Sequence, residues 1–215
     1  MIRQVGLLLV DDHPVVRAGL CHLFEADPGL CVLGHAASGE EACRLYPERR
    51  PEVVLMDLSL PGMSGLEAAR RLLQHHPGAR LLICTIHENP VLAERALVLG
   101  ILGYVTKSSA PDILIEAVKT VASGRRFLSP DMAQALALRR LEGDGSPLQG
   151  LSPREFEVFR LVVEGRGRGE IAALLHLSPK TVSNLLSRIR GHLGVGSDLE
   201  LLHIALSQGL IDHRF

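Results

Sequence analysis

Five times between residues 5 and 124 a short apolar run gives way to a stretch of helical period, and this alternation limits the fold more than any other feature. The apolar runs are "VGLLLVD" (5–11), "CVLGHA" (31–36), "EVVLMD" (52–57), "RLLICTI" (80–86) and "LGYVT" (102–106). The helical stretches are "PVVRAGLCHLFEA" (14–26), "GEEACRLYPER" (39–49), "GLEAARRLLQHH" (65–76), "PVLAERALVLG" (90–100) and "PDILIEAVKTVAS" (111–123). Strands that are apolar almost throughout need cover on both faces, which strand–helix alternation supplies by wrapping helices around a parallel sheet.

Five such units predict a flavodoxin-like, doubly wound, five-stranded parallel sheet over residues 1–124. Its ligand crevice is expected beyond the carboxyl ends of the strands. The pattern then changes. "GRRFLSP" leads into a short predicted helix, "DMAQALALRRL" (131–141), with Ser129 or Asp131 as its candidate cap. "EGDGSPLQG" (142–150) collects glycines, a proline and acids, so 125–150 reads as a linker carrying one short helix. From Leu151 to Phe215 only helical period remains, which predicts a small all-helical domain.

Bulk properties exclude some classes of protein. No apolar run approaches a membrane span, and "MIRQVGLLLVDDH" reaches two acids too soon for a signal peptide. Cys21, Cys31, Cys43 and Cys84 form no paired-cysteine motif, as expected of reduced thiols in a cytoplasmic protein. The net charge of −1 favours no class of partner. With aromatics at 3% and no tryptophan, the core is expected to be aliphatic.

The carboxyl ends carry the chemistry. Asp11 and Asp12 end the first predicted strand and Asp57 ends the third, its neighbour in this topology. Three carboxylates in so small a volume do not all ionise without a cation. A hard ion that accepts oxygen ligands and keeps waters fits best, which points to Mg²⁺. Thr85 at the fourth strand adds a hydroxyl and Lys107 after the fifth adds an ammonium. Together they suit phosphoryl transfer, with one carboxylate as nucleophile. Asp57, the isolated acid on a central strand, is the phosphoacceptor candidate.

Two enzyme motifs fail on spacing. "GILGYVTKS" (100–108) lacks the glycine–lysine adjacency of a phosphate-binding loop. After Asp57, Ser59 stands where a haloacid-dehalogenase-type phosphatase places its acid. Turnover of an external substrate is therefore not expected, and the chain is read as a non-enzyme.

The stretches "LLLVDDHPVVRAGL", "VVLMDLSLPGMSGLEAARRL", "LLICTIHE" and "GILGYVTKSS" resemble a receiver domain of two-component signalling, of the NarL/FixJ response-regulator family. The resemblance implies that Asp57 takes phosphate from a sensor histidine kinase. It also implies that Asp12 and Asp57 ligate Mg²⁺, with Asp11 helping through water and the Ser59 carbonyl completing the protein ligands. Thr85 and Lys107 would meet the phosphoryl group and Tyr104 would turn inward behind it. Tyr104 reads equally well as plain core packing.

In the last third, "LSPREFEVFRLVVEG" (151–165) starts with Ser152 as cap, Pro153 in the first turn and Glu155 as a box acid. "EIAALLH" (170–176), a tight turn and "KTVSNLLSRIRGHL" (180–193) give a helix-turn-helix order. Val182, Leu186, Ile189 and Leu193 form an apolar stripe widened by Leu185. The opposite face offers Lys180, Thr181, Ser183, Asn184, Ser187 and Arg188, and the helix contains no acid. Such a face suits base edges and phosphates. It also suits plain solvation, since residues 148–215 hold eight Lys/Arg against seven Asp/Glu.

The whole stretch from Leu151 to Val195 resembles a LuxR-type DNA-binding domain, with "LSPKTV" and "HLGVGSDLELLHIALSQGL" similar to the GacA/UvrY branch. The resemblance implies a transcription factor that binds double-stranded promoter DNA as a homodimer formed on phosphorylation. "RGRG" (166–169), Leu185, Ser183 and Ser187 depart from the family pattern. A phospho-dependent protein-interaction regulator that has lost DNA reading is the alternative.

Overall fold

The computed structural model describes residues 4–141, 147–208 and 210. It divides into two compact units, with the boundary after Leu141. In the first unit the order is β1 (Val5–Val10), α1 (Pro14–Glu25), β2 (Leu30–Ala36), α2 (Gly39–Arg49), β3 (Val53–Met56) and α3 (Gly65–His75). There follow β4 (Leu81–Thr85), α4 (Pro90–Val98), β5 (Gly103–Thr106), α5 (Pro111–Ala122), β6 (Phe127–Leu128) and α6 (Pro130–Leu141). Every strand pairing is parallel, in the order β2-β1-β3-β4-β5-β6.

Both faces of the sheet are covered. Leu7 and Leu9 of β1, Val53 and Leu55 of β3, Leu82 and Cys84 of β4 and Val105 of β5 pack with Phe24 of α1 and with Leu114, Ala117, Val118 and Val121 of α5. Their strand neighbours Leu8, Val10, Val54, Met56 and Ile83 are as deeply buried and point to the opposite face, because successive side chains alternate across a strand. Side-chain caps fix where several helices begin. Ser38, Ser64 and Asn89 accept backbone N–H groups from the first turns of α2, α3 and α4.

The sheet has six strands among the described residues, where five were expected. The additional strand is "FL" in "GRRFLSP". Two residues show no period, so sequence pattern does not reveal it. It is held by pairing along β5, with Phe127 N–H donating to Leu102 O at 3.0 Å and Ser129 N–H to Tyr104 O at 3.2 Å. The chain then enters α6, whose Met132 and Leu136 are buried. The Ser129 carbonyl accepts the Ala133 N–H, so Ser129 stands just before that helix. Of the stretch read as a linker, residues 142–146 lie outside the described residues.

The second unit opens with a 3₁₀ turn (Pro147–Gly150) and continues with α7 (Pro153–Val163), α8 (Arg168–Leu174), α9 (Pro179–Leu193) and α10 (Asp198–Ser207). Val182, Leu186 and Ile189 of α9 are buried with Phe156 and Phe159 of α7, Ile171 of α8 and Leu201 of α10. Leu185 and Leu193 flank this stripe and are half-buried. Helix α8 starts two residues before the expected position, and Gly167 gives it no side-chain cap.

Ser152 and Glu155 cap α7 reciprocally. Glu155 N–H donates to Ser152 Oγ at 3.3 Å, and Ser152 N–H donates to Glu155 Oε2 at 2.9 Å. Burial would raise the Glu155 carboxyl, but the bonds from Ser152 and the charges of Arg188 and His192 outweigh it and lower the pKa. The stability this adds is present at neutral pH and is lost as pH falls through the folded value. Ser152→Ala is expected to cost about 1 kcal/mol, read as a drop of roughly 4–8 °C in the melting of a unit this small.

Candidate functional site

The site follows from strand register. Val10 of β1 pairs with Met56 of β3, so the next residues, Asp11 and Asp57, leave the sheet at the same level. Backbone bonds hold them there, Asp57 N–H to Val10 O at 2.9 Å and Asp11 N–H to Ala36 O at 3.1 Å. Thr85 of β4 pairs with Thr106 of β5, and Lys107 N–H donates to Thr85 O at 2.8 Å. Four strands thus deliver Asp11, Asp57, Thr85 and Lys107 to one end of the sheet.

Three of these groups meet directly. The Lys107 ammonium lies 2.5 Å from Asp11 Oδ2 and 2.8 Å from Asp57 Oδ2. Asp11 and Asp57 are both buried. Partial burial alone would lower the lysine pKa, yet the two carboxylates outweigh it and raise the value. One ammonium therefore faces two buried anions, with Asp12 beside them.

Among the described residues, ligand atoms of Asp11, Asp12, His13 and Asp57 lie within 4.8 Å of one another. Asp11 Oδ2 and Asp12 Oδ1 are buried oxygens that lie 2.5 Å from the Lys107 ammonium and 2.8 Å from His13 Nδ1 without hydrogen-bond geometry. Oxygens in this condition fit a hard divalent cation. His13 was not among the sequence candidates. It enters because its N–H donates to Asp11 Oδ1 at 2.9 Å, which folds the residue back over the acid pair.

A second layer joins the two loops that flank the acids. Ser59 N–H donates to Asp57 Oδ1 at 3.3 Å, while Ser59 Oγ is hydrogen-bonded to His87 Nε2 at 2.8 Å. His87 N–H donates to Thr85 Oγ1 at 3.4 Å, and its carbonyl accepts the Tyr104 hydroxyl at 2.7 Å. Tyr104 and Thr85 are fully buried. Burial, with Asp57 and Cys84 nearby, raises the tyrosine pKa, so the phenol stays a neutral donor. Sequence reasoning missed His87 because its imidazole and its carbonyl serve different partners, neither adjacent in the chain. Arg17, whose Nη1 donates to the Asp11 carbonyl at 2.5 Å, was also missed, because its partner is a backbone atom that no sequence pattern marks.

On α9 the predicted face is exposed at Lys180, Thr181, Asn184, Ser187 and Arg188 and half-buried at Ser183. Several of its groups already have partners. Thr181 N–H donates to the cap oxygen of Ser178 at 3.0 Å, and Ser187 Oγ donates to Ser183 O at 3.1 Å. Arg188 Nη2 lies 3.0 Å from Glu155 Oε1 on α7.

A parallel sheet with clustered acids and a lysine at its carboxyl end, in one chain with a helix-turn-helix unit, defines a class of phospho-receiver proteins with a helical output unit. The family model described as "Response regulator receiver domain" matches residues 7–119, and that described as "Bacterial regulatory proteins, luxR family" matches residues 149–205. The chain belongs to the response regulators that join a receiver domain to a LuxR-family domain. It is 36% identical to the response regulator UvrY of Escherichia coli K12, covering 96% of each chain. It is 43% identical to the transcriptional activator protein ExaE of Pseudomonas putida, over 96% of this chain and 98% of that protein. Among solved structures, RcsB of Salmonella enterica serovar Typhimurium, bound to promoter rprA with the phosphomimetic BeF3-, is similar at 28% identity. That match covers 94% of this chain and 98% of the other, with a TM-score of 0.70.

Proposed function

We propose that this protein is a DNA-binding transcriptional regulator switched by phosphorylation of Asp57, with a sensor histidine kinase as donor. The observation that carries this reading is the Lys107 ammonium set between Asp11 and Asp57, at 2.5 and 2.8 Å. An Asp57 oxygen attacks the phosphorus of a phosphohistidine. The P–N bond breaks, its electron pair stays on the imidazole nitrogen, and an acyl phosphate forms. Lys107 neutralises the incoming oxygens, and Thr85, at the end of the neighbouring strand β4, supplies a hydroxyl to meet one of them. Tyr104, already inside the core and tied to the His87 carbonyl, carries the displacement toward α4 and β5.

The carboxylates of Asp11, Asp12 and Asp57 and the backbone carbonyl of Ser59 would hold Mg²⁺, which when bound supplies positive charge to the phosphoryl oxygens. Ser59 offers no second acid for turnover of an external substrate, so the transfer ends on the chain itself and the protein acts as a regulator. Among the described residues no helix is long and apolar enough to cross a membrane, and we place the protein in the cytoplasm.

Phosphate on Asp57 favours a homodimer, which sets two α9 helices against a two-fold promoter site in double-stranded DNA. RcsB has been seen as dimers on DNA. Lys180, Thr181, Ser183 and Asn184, on the first turns of α9, are at the end of a recognition helix that meets base edges in helix-turn-helix proteins. A salt titration against mixed genomic fragments, with and without acetyl phosphate, tests this function. Affinity is expected to fall steeply and log-linearly with salt. Absence of binding at low salt, with the donor present, would leave a protein-interaction regulator in its place.

A further inference from the structure

Charge pairing separates the cations of the helical unit into two groups. Arg154 pairs with Glu157 at 2.9 Å, Arg160 with Glu164 at 2.5 Å, Arg190 with Asp198 at 2.5 Å, and Arg166 with Glu170. Arg188 pairs with Glu155 at 3.0 Å. Among the described residues of this unit, Arg168 and Lys180 are the cations without a carboxylate partner, and both are exposed. Each is at the start of one of the two packed helices of the helix-turn-helix, α8 and α9.

DNA binding depends on net neutralisation of phosphates, because each phosphate neutralised releases condensed counterions. A cation already neutralised by its own carboxylate adds no net charge unless that pair is broken. The Glu155–Arg188 pair is anchored on its acid side: Arg188 is 71% exposed, but Glu155 is nearly buried and also completes the cap of α7. Freeing Arg188 would leave the mostly buried carboxylate with the Ser152 bonds on Oε2 and no cation at Oε1.

We infer that Arg168 and Lys180 are the phosphate-contacting cations of this unit, and that Arg188 is a positioning residue that ties α9 to α7. The inference rests on the DNA-binding function proposed above and assigns its electrostatic footprint. It also gives "RGRG" a purpose. The two glycines weaken the start of α8, yet the segment carries an arginine that no local acid cancels.

The test is the salt slope of the full chain on genomic fragments with acetyl phosphate, compared with melting. Arg168→Ala and Lys180→Ala are each expected to reduce the slope by about 0.9 per protomer without lowering the melting temperature. Arg188→Ala is expected to keep the wild-type slope and lower the melting temperature. In melting, its effect is expected to be strongly non-additive with that of Glu155→Gln, as for partners in one contact. A wild-type slope in Arg168→Ala, or a loss of about 0.9 in Arg188→Ala, overturns the assignment while the DNA-binding function stands. Failure of the wild-type protein to bind at all overturns both.

Discussion

Asp57→Ala is expected to abolish labelling by acetyl phosphate, and with it any gain in DNA affinity caused by the donor. The expectation is loss to background rather than a partial decrease, because no neighbouring acid is placed to substitute. Asp11 is the other buried carboxylate that Lys107 touches, yet its Oδ1 accepts the His13 N–H and its backbone holds the end of β1. Asp12 is directed toward His13. The folded state itself is expected to tolerate the change, since removing one of two anions beside one ammonium relieves like-charge repulsion. Labelling read by mass spectrometry, with melting measured in parallel, separates loss of chemistry from loss of fold. Residual labelling of the variant would assign the phosphoryl group to another residue.

The second large effect arises at Gly65, the first residue of α3. A Cβ built there would lie 1.9 Å from the carbonyl oxygen of Asp57 and 2.9 Å from Leu58 Cα. Both are backbone atoms, so no rotamer change relieves the overlap. Gly65→Ala is therefore expected to displace the strand end that carries Asp57, the proposed phosphoacceptor. The expected cost is about 3 kcal/mol, the upper end for overpacking, or a fall of roughly 10 °C in melting, together with slowed labelling. Gly169, inside α8 with nothing within 4 Å of its added Cβ, is the control. There alanine should stabilise by about 0.5–1 kcal/mol through helix propensity. Melting of the two variants checks both signs, and equal behaviour would show that the close approach at Gly65 is not limiting.

How much of this was legible in the sequence depended on whether a feature is local. The alternation of apolar runs and helical stretches gave the parallel sheet because each period is written in consecutive residues. Asp11, Asp57, Thr85 and Lys107 were legible because a strand end is a place in the pattern, and the topology says which ends are neighbours. β6 was not legible, since two residues carry no period and their pairing is decided by β5. His87 was hidden because its role joins Ser59, Thr85 and Tyr104 from three separate segments. The Glu155–Arg188 contact was hidden for a similar reason. A helical wheel showed Arg188 pointing away from the apolar stripe but not that the acid of a preceding helix reaches it. Composition in the helical unit, at eight cations to seven anions, suggested an electrostatically bland surface. Where those charges are spent required the fold.

The short strand β6 limits how the sheet can grow. A long bare edge would offer another chain a row of amide and carbonyl groups to lengthen along, the usual start of uncontrolled stacking. Here that row is covered over two residues, and the chain turns at once into a helix opened by a proline, which offers no amide hydrogen of its own. Self-association on this flank is thereby steered away from ribbon extension and toward contacts between side chains.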